Sequence, residues 1–255
     1  MNPESETLCV IIPCLDEEAS IDAVVDEVLE HAPKLPTAVE IVLIDDGSTD
    51  GTRERMAAIC AREPTCRMIV NDENVGLGAS VQKAYRDLLE GTWVTVLPGD
   101  GELVFSVSLD NFMALRHDHD VILGYLQNPV IRTLGRRLAS WAFTRVAATL
   151  YGFPWNYLNG LKMYKVEAFR SLEVVSGGHA YVAEMLAKAQ LRNPCLRITQ
   201  APFVARGRPF GASKAIAPRA VLRALREVWS GARAVSAYRR EVVRGRGPAT
   251  AEPGR

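Results

Sequence analysis

The run IVLIDDGSTDGT, residues 41–52, decides the fold. Ile41 to Ile44 are apolar and lead straight into two adjacent carboxylates, Asp45 and Asp46; a glycine turn follows, and Ser48, Thr49 and Asp50 then offer helix-capping side chains ahead of a segment with helical spacing over 52–62. A short β-branched run that stops at acids and passes at once into a capped helix is a strand-to-helix junction of an α/β sheet. Outward from it, LCVIIP (8–13), EIVLID (40–45), CRMIV (66–70), WVTVL (93–97) and DVILGY (120–125) are each too short for a helix and rich in β-branched residues, which predicts buried parallel strands. Between the first two, Ile21, Val24, Val25, Val28 and Leu29 fall at helical spacing behind Ser20, an N-cap candidate, and similar segments follow around 79–90 and 106–117. The alternation predicts a doubly wound, mostly parallel sheet that binds its ligand beyond the carboxyl ends of the strands. The loops there, 13–18, 45–52, 71–78 and 98–102, hold the unusual polar residues.

With 255 residues, 48% of them apolar, the chain can bury one substantial core, and a single catalytic domain is expected. Thirty basic and thirty acidic residues leave no net charge, so whole-molecule attraction to nucleic acid is not implied. The charge is nonetheless divided, with acidic clusters in residues 1–60 and arginines dominating from Arg208 to Arg246. Five cysteines, an odd number without metal-type spacing, fit a reducing cytosol. No apolar run approaches the roughly 18 residues of a spanning helix. The expected location is therefore cytoplasmic, with any membrane contact peripheral on the inner face.

VIIPCLDEE (10–18), VLIDDGSTDGT (42–52), NVGLGAS (74–80) and LPGDGE (97–102), in that order, resemble the motif series of inverting glycosyltransferases of the GT-A fold, glycosyltransferase family 2. The chain is similar to the polyprenyl-phosphate branch, which includes dolichol-phosphate mannosyltransferases, over roughly residues 7–215. The resemblance implies a GT-A domain over 1–215, with 7–125 taking a nucleotide-diphosphate sugar (UDP-, GDP- or dTDP-linked) and 126–215 the acceptor. Residues 216–243 read as a basic amphipathic helical region, with Val221, Leu225, Val228, Ala232 and Val235 on one stripe, suited either to a membrane interface or to docking on the domain. The Gly/Pro/Arg-rich tail, 244–255, is expected to be disordered.

By the same resemblance Pro13, Glu17, Asp45 and Asp46 line the nucleoside pocket, with Asp16 standing where the family usually has Asn. Gly76 and Gly78 are expected to let the backbone approach the ligand. The family's Asp-x-Asp-x-Gln motif reads Pro98 to Glu102 here, so the first carboxylate is missing, Asp100 remains, and Glu102 occupies the glutamine position. Residues two apart in an extended loop point the same way, so Asp100 and Glu102 together suit a hard divalent cation, Mg²⁺ or Mn²⁺, bridging the diphosphate. Read alone, the same five residues are also a plain tight turn.

On the acceptor side, hydroxyl-using relatives commonly carry a Glu-Asp pair whose Asp is the base; Ala183-Glu184-Met185 lacks that Asp, which favours an acceptor already anionic, a lipid phosphate. Arg132, Arg136, Ser140, Arg208, Ser213 and Lys214 resemble phosphate-contacting positions, the last three within RPFGASK (208–214), while Glu184 resembles a position near the donor sugar. Asp100, Arg136, Arg208 and Lys214 are the residues expected to carry catalysis. Arg136 and Arg137 are also open to a plainer reading, as part of a solvated helix face. Asn156, in WNYLNGLKMYK, replaces an Asp of the branch; Trp155 and Tyr157 suit stacking or simple packing, and His179 reads as a surface loop residue. Two other readings stay open: transfer to a sugar or other hydroxyl, and a catalytically impaired nucleotide-sugar binder, since Pro98 and Asn156 both replace acids.

Overall fold

A computed structural model describes residues 6–131, 133–152, 158, 160–178, 180–207 and 218–245, leaving aside the side chains of Val130 and of residues 218–221. The strands are β1 (Thr7–Cys14), β2 (Ala38–Asp46), β3 (Cys66–Asn71), β4 (Trp93–Val96), β5 (Leu103–Val104), β6 (Val121–Leu126), β7 (Lys162–Lys165) and β8 (Ile198–Ala205). The helices are α1 (Ile21–His31), α2 (Thr52–Arg62), α3 (Leu77–Tyr85), α4 (Phe105–Met113), α5 (Leu134–Tyr151), α6 (Tyr181–Arg192) and α7 (Pro218–Val243). Among the described residues the strands form one sheet in the order β3-β2-β1-β4-β7-β6-β8-β5.

β1 to β4 are mutually parallel, with Ile11 opposite Val42 on one side and Val96 on the other. β7 runs antiparallel between β4 and β6, and β8 lies parallel beside β6. The reading that placed DVILGY in a continuous parallel set is corrected here: β6 points the same way as β4 but is separated from it by the reversed strand KMYK. β7 and β8 escaped the sequence because one is four residues long and bears a lysine at each end, and the other is interrupted by Thr199, Gln200 and Pro202. Helices α3 and α4 end at Tyr85 and Met113, short of the expected 90 and 117.

Strand side chains alternate between two cores. Leu8, Val10, Ile12, Ile41, Leu43 and Trp93 face α1, α2 and α4, whereas Cys9, Ile11, Val42, Ile44 and Val94 face α3 and α6. Burial on both faces is what makes these strands read as unbroken apolar runs. Val228 and Val235 of α7 belong to the second core, so that helix docks on the domain through one stripe. Leu225, placed on the same stripe from sequence, is exposed, and Val221 lies outside the described side chains. No described helix is long and apolar enough to cross a membrane.

Candidate active site

The site grows from the carboxyl ends of β1, β2 and β4, which the parallel arrangement brings to one edge. The loops after β1 and β2 are laced together. Asp16, at φ 57°, accepts hydrogen bonds from the Thr49 N–H at 2.8 Å and hydroxyl at 3.1 Å, and its own N–H donates to Ser48 Oγ at 3.1 Å. The Glu17 N–H donates to Thr52 Oγ1 at 2.9 Å, and Glu18 accepts from the Gly51 N–H at 3.0 Å. The loop after β4 joins them through Ser20, whose hydroxyl donates to the Gly99 carbonyl at 2.7 Å, and through the Gly99 N–H, which donates to the Pro13 carbonyl at 3.3 Å. Ser20 does sit at the N-cap of α1, but its hydroxyl serves this link and makes no cap hydrogen bond.

Adjacent strand residues point to opposite faces, and that splits the pair of carboxylates. Asp45 turns toward α2, accepting from the Ser48 N–H at 2.9 Å and Arg53 Nε at 2.7 Å. Burial works to raise its pKa, but the hydrogen bonds from Ser48 and Arg53 outweigh that and hold the carboxyl below its ordinary range. Asp46 turns toward α3 and accepts from Asn71 Nδ2, Ser80 Oγ and the N–H groups of Val75 and Gly76 at 2.8–3.1 Å. Asp46 thus holds the loop before α3. The fully buried Cys14 thiol reports what surrounds it: burial pushes its pKa well up, and the carboxylates of Glu17, Asp100, Asp45 and Asp50 push it further. Four acids from three loops therefore lie near enough to Cys14 to act on it.

Gly76 and Gly78 admit a close stretch of the chain's own backbone. Gly76 is at φ 90°, and a Cβ there would stand 2.7 Å from the Gly177 carbonyl; one on Gly78 would stand 2.5 Å from that of Ser176. The backbone that approaches them is the 176–177 loop, tied on by the Gly78 N–H donating to the Gly177 carbonyl at 2.7 Å. Glu184, assigned by resemblance to the donor sugar, holds that loop from the other side. It is fully buried and accepts from the Val175 N–H, the Ser176 N–H and hydroxyl, and Lys188 Nζ at 2.7–3.1 Å. Its oxygens are committed to the protein.

Asp100 Oδ1 accepts from the Glu102 N–H at 3.0 Å, closing the turn after β4. The buried Glu102 carboxylate is met by Arg136 Nη2 at 2.6 Å, so a residue expected on a metal is instead paired with one expected on a phosphate. Two charges at that distance in a mostly buried setting form a charge-assisted hydrogen bond. Asp100 fits a hard cation, which commonly takes one or two carboxylates plus substrate oxygens. Among the described residues no group of three or more His, Cys, Asp or Glu side chains is arranged to hold a metal by itself.

Ser140 lies one turn beyond Arg136 on α5, and its buried Oγ has no hydrogen-bond partner among the described residues. Arg132, Trp155, Asn156, Tyr157, His179, Arg208, Ser213 and Lys214 lie outside the described residues. Sequence reasoning passed over Lys162. It opens β7 next to Met163, which pairs with Thr95, and so stands at the carboxyl end of β4; burial pushes its amino group down from 10.5 to about 8. Its signal was a lysine in a largely apolar stretch after Gly160, and it carries weight only once β7 is known to lie beside β4.

Residues 9–173 match the family model described as glycosyl transferase family 2. The chain is 24% identical over 220 residues to the glycosyltransferase AglJ of Haloferax volcanii, covering 85% of this chain and 68% of that protein. It is 24% identical over 218 residues to the dodecaprenyl-phosphate galacturonate synthase of Rhizobium johnstonii, covering 83% of this chain but only 62% of that one. Identity to the dolichol-phosphate mannosyltransferase of Saccharomyces cerevisiae is 26% over 214 residues, covering 80% and 79%. Among solved structures, the glucosyl-3-phosphoglycerate synthase of Mycobacterium tuberculosis with Mn²⁺, UDP and phosphoglyceric acid superposes with a TM-score of 0.66 at 18% identity, covering 89% of this chain and 79% of that one. At that identity the likeness is one of fold, and it spans most of the chain. With the laced acidic loops at the carboxyl edge of that sheet and a family match over most of its length, the chain belongs to glycosyl transferase family 2.

Proposed function

We propose that this glycosyltransferase moves a sugar from a nucleotide-diphosphate donor to the phosphate of a polyprenyl phosphate, with inversion at the anomeric carbon. The observation that carries the reading is the Arg136–Glu102 contact at 2.6 Å, because it puts a cationic acceptor helix against the acidic donor loop with no gap between them. Two relatives are named for dodecaprenyl-phosphate and dolichol-phosphate chemistry, which supports the same acceptor class.

In this reading the crevice around Glu17, Asp45 and Asp100 takes the nucleoside and diphosphate. A divalent cation, held by Asp100 and the diphosphate oxygens, would neutralise charge on the leaving group. A phosphate oxygen of the acceptor attacks the anomeric carbon from the face opposite the diphosphate; the new carbon–oxygen bond forms as the old one breaks, and the nucleoside diphosphate departs with the electron pair. Arg136 steers and holds the attacking phosphate. No general base is needed, because a phosphate monoester is already ionised near neutral pH. The place of action is the cytoplasmic face of a membrane, reached peripherally, since activated sugar and lipid phosphate meet there.

The test is a donor screen with UDP-, GDP- and dTDP-linked sugars, a short-chain polyprenyl phosphate and Mn²⁺, followed by solvent extraction. Label in the organic phase that depends on the lipid phosphate is expected. Label found only in an aqueous product would replace the lipid by a soluble hydroxyl acceptor, and binding of donor without turnover would reduce the protein to a nucleotide-sugar binder.

A further inference from the structure

We propose that α5 and α7 together form a docking face for an anionic phospholipid bilayer, with Trp141 and Trp229 as its aromatic anchors. The proposal deepens the lipid-acceptor reading and rests on it for its purpose, though its physical basis is separate.

Leu134, Leu138 and Trp141 follow one another at helical spacing on α5, and all three are exposed, Trp141 to 61%. Leu222, Leu225 and Trp229 do the same on α7, with Trp229 exposed to 62%. The two helices touch, since the Tyr151 hydroxyl donates to the Val228 carbonyl at 3.1 Å. On α7 the exposed residues are distinct from the stripe of Val228, Ala232 and Val235 that fastens the helix to the domain. The apolar edge is therefore surplus to folding, and large exposed apolar patches mark interaction surfaces.

Charge selects the occupant. From Leu134 to Tyr151 there are three arginines and no carboxylate. On α7 Arg223, Arg226, Arg233, Arg239 and Arg240 are exposed, while Glu227 is turned inward against Gly178 and Glu241 is the exposed acid among the described residues. Arg145 sits over the Trp141 ring at 6.0 Å, pairing a cation with an interfacial aromatic. Tryptophan and leucine flanked by arginine match the boundary between anionic headgroups and acyl chains, where aromatic rings settle and each nearby cation adds to the attraction. An apolar protein partner would leave these arginines without counter-charges. Arg136 projects from the same helix to Glu102, so docking α5 sets the catalytic arginine at the level of lipid phosphates.

The experiment is co-sedimentation of the full chain with vesicles of mixed phosphatidylcholine and phosphatidylglycerol, against pure phosphatidylcholine, for wild type, Trp141→Ser and Trp229→Ser, with sugar transfer to a detergent-dispersed short-chain polyprenyl phosphate followed in parallel. Binding only to the anionic vesicles is expected, weakened on the order of tenfold by each substitution and weakened by salt, with transfer to the dispersed acceptor retained. Vesicle binding unchanged by the substitutions, or lost in only one of them, would overturn the joint face. A dimer in sedimentation equilibrium that the same substitutions dissolve would reassign the face to a second copy. If vesicle binding behaves as expected but no lipid product forms with the wild type, the docking face stands and the acceptor assignment falls.

Discussion

Arg136 Nη2 on α5 and Glu102 Oε2 on the loop after β4 meet at 2.6 Å, and this contact joins the carboxyl edge of the parallel strands to α5. Its carboxylate is nearly buried and its guanidinium about one-quarter exposed, so the bond is shielded from solvent on one side and open to exchange on the other. If the proposed function holds, an incoming phosphate would compete with Glu102 for the arginine.

Removing the arginine takes away a hydrogen bond and a cation that the buried Glu102 carboxylate holds at 2.6 Å. Arg136→Ala should lower stability by about 1–3 kcal/mol and raise KM for the anionic acceptor far more than KM for the donor. Thermal melting and two-substrate kinetics would check this. An equal rise in both constants would count against an acceptor role.

Asp100 should carry the metal dependence. Asp100→Ala is expected to abolish the stimulation of turnover by Mn²⁺ and to weaken Mn²⁺-linked nucleotide binding at least tenfold, as read by calorimetry. Unchanged metal dependence in this variant would move the cation away from the loop after β4.

Glu184 and Gly76 should behave as parts of one support. Glu184→Ala strands the buried Lys188 ammonium, which lies 2.7 Å from it, and removes the acceptor of the Val175 and Ser176 N–H groups. A cost of about 3–5 kcal/mol is expected from breaking a buried pair. Gly76→Ala, at positive φ and with the Gly177 carbonyl in the way, should destabilise by about 2 kcal/mol. Denaturant melts measure both. If Glu184→Gln melts like wild type yet loses donor affinity, Glu184 touches the sugar after all.

Lys162 makes a pH-dependent contribution whose sign follows from its depressed pKa. Between about 8 and the ordinary 10.5, the folded chain has released this proton and the unfolded chain still holds it. Excess proton binding by the unfolded state means that stability rises with pH through that window. Lys162→Met should remove this component and flatten the stability curve above pH 8, measured by urea denaturation at several pH values. A curve of unchanged slope would place the amino group in solvent.

The parallel strands and the acidic loops at their ends were legible because burial on both faces writes an unbroken apolar run, and because turn and capping residues punctuate each strand end. β7 was not legible: four residues with a lysine at each end carry no period, and only the pairing of Thr95 with Met163 makes them a strand. Likewise, no local signal distinguishes the two edges of α7, because which apolar residues are covered depends on the neighbours they meet.

By itself, then, the sequence determined the parallel strands β1 to β4, the polar loops at their carboxyl ends and the family's set of acids and arginines. The tertiary structure alone decided what each of those side chains does. Asp45 and Asp46 part to opposite faces, Gly76 and Gly78 receive the 176–177 backbone, Glu184 is spent on its own loop, and Glu102 takes Arg136. Local pattern records burial and backbone conformation, which neighbouring residues share. The partner of a polar atom is set by segments distant in the chain, and only folding brings those within hydrogen-bond reach.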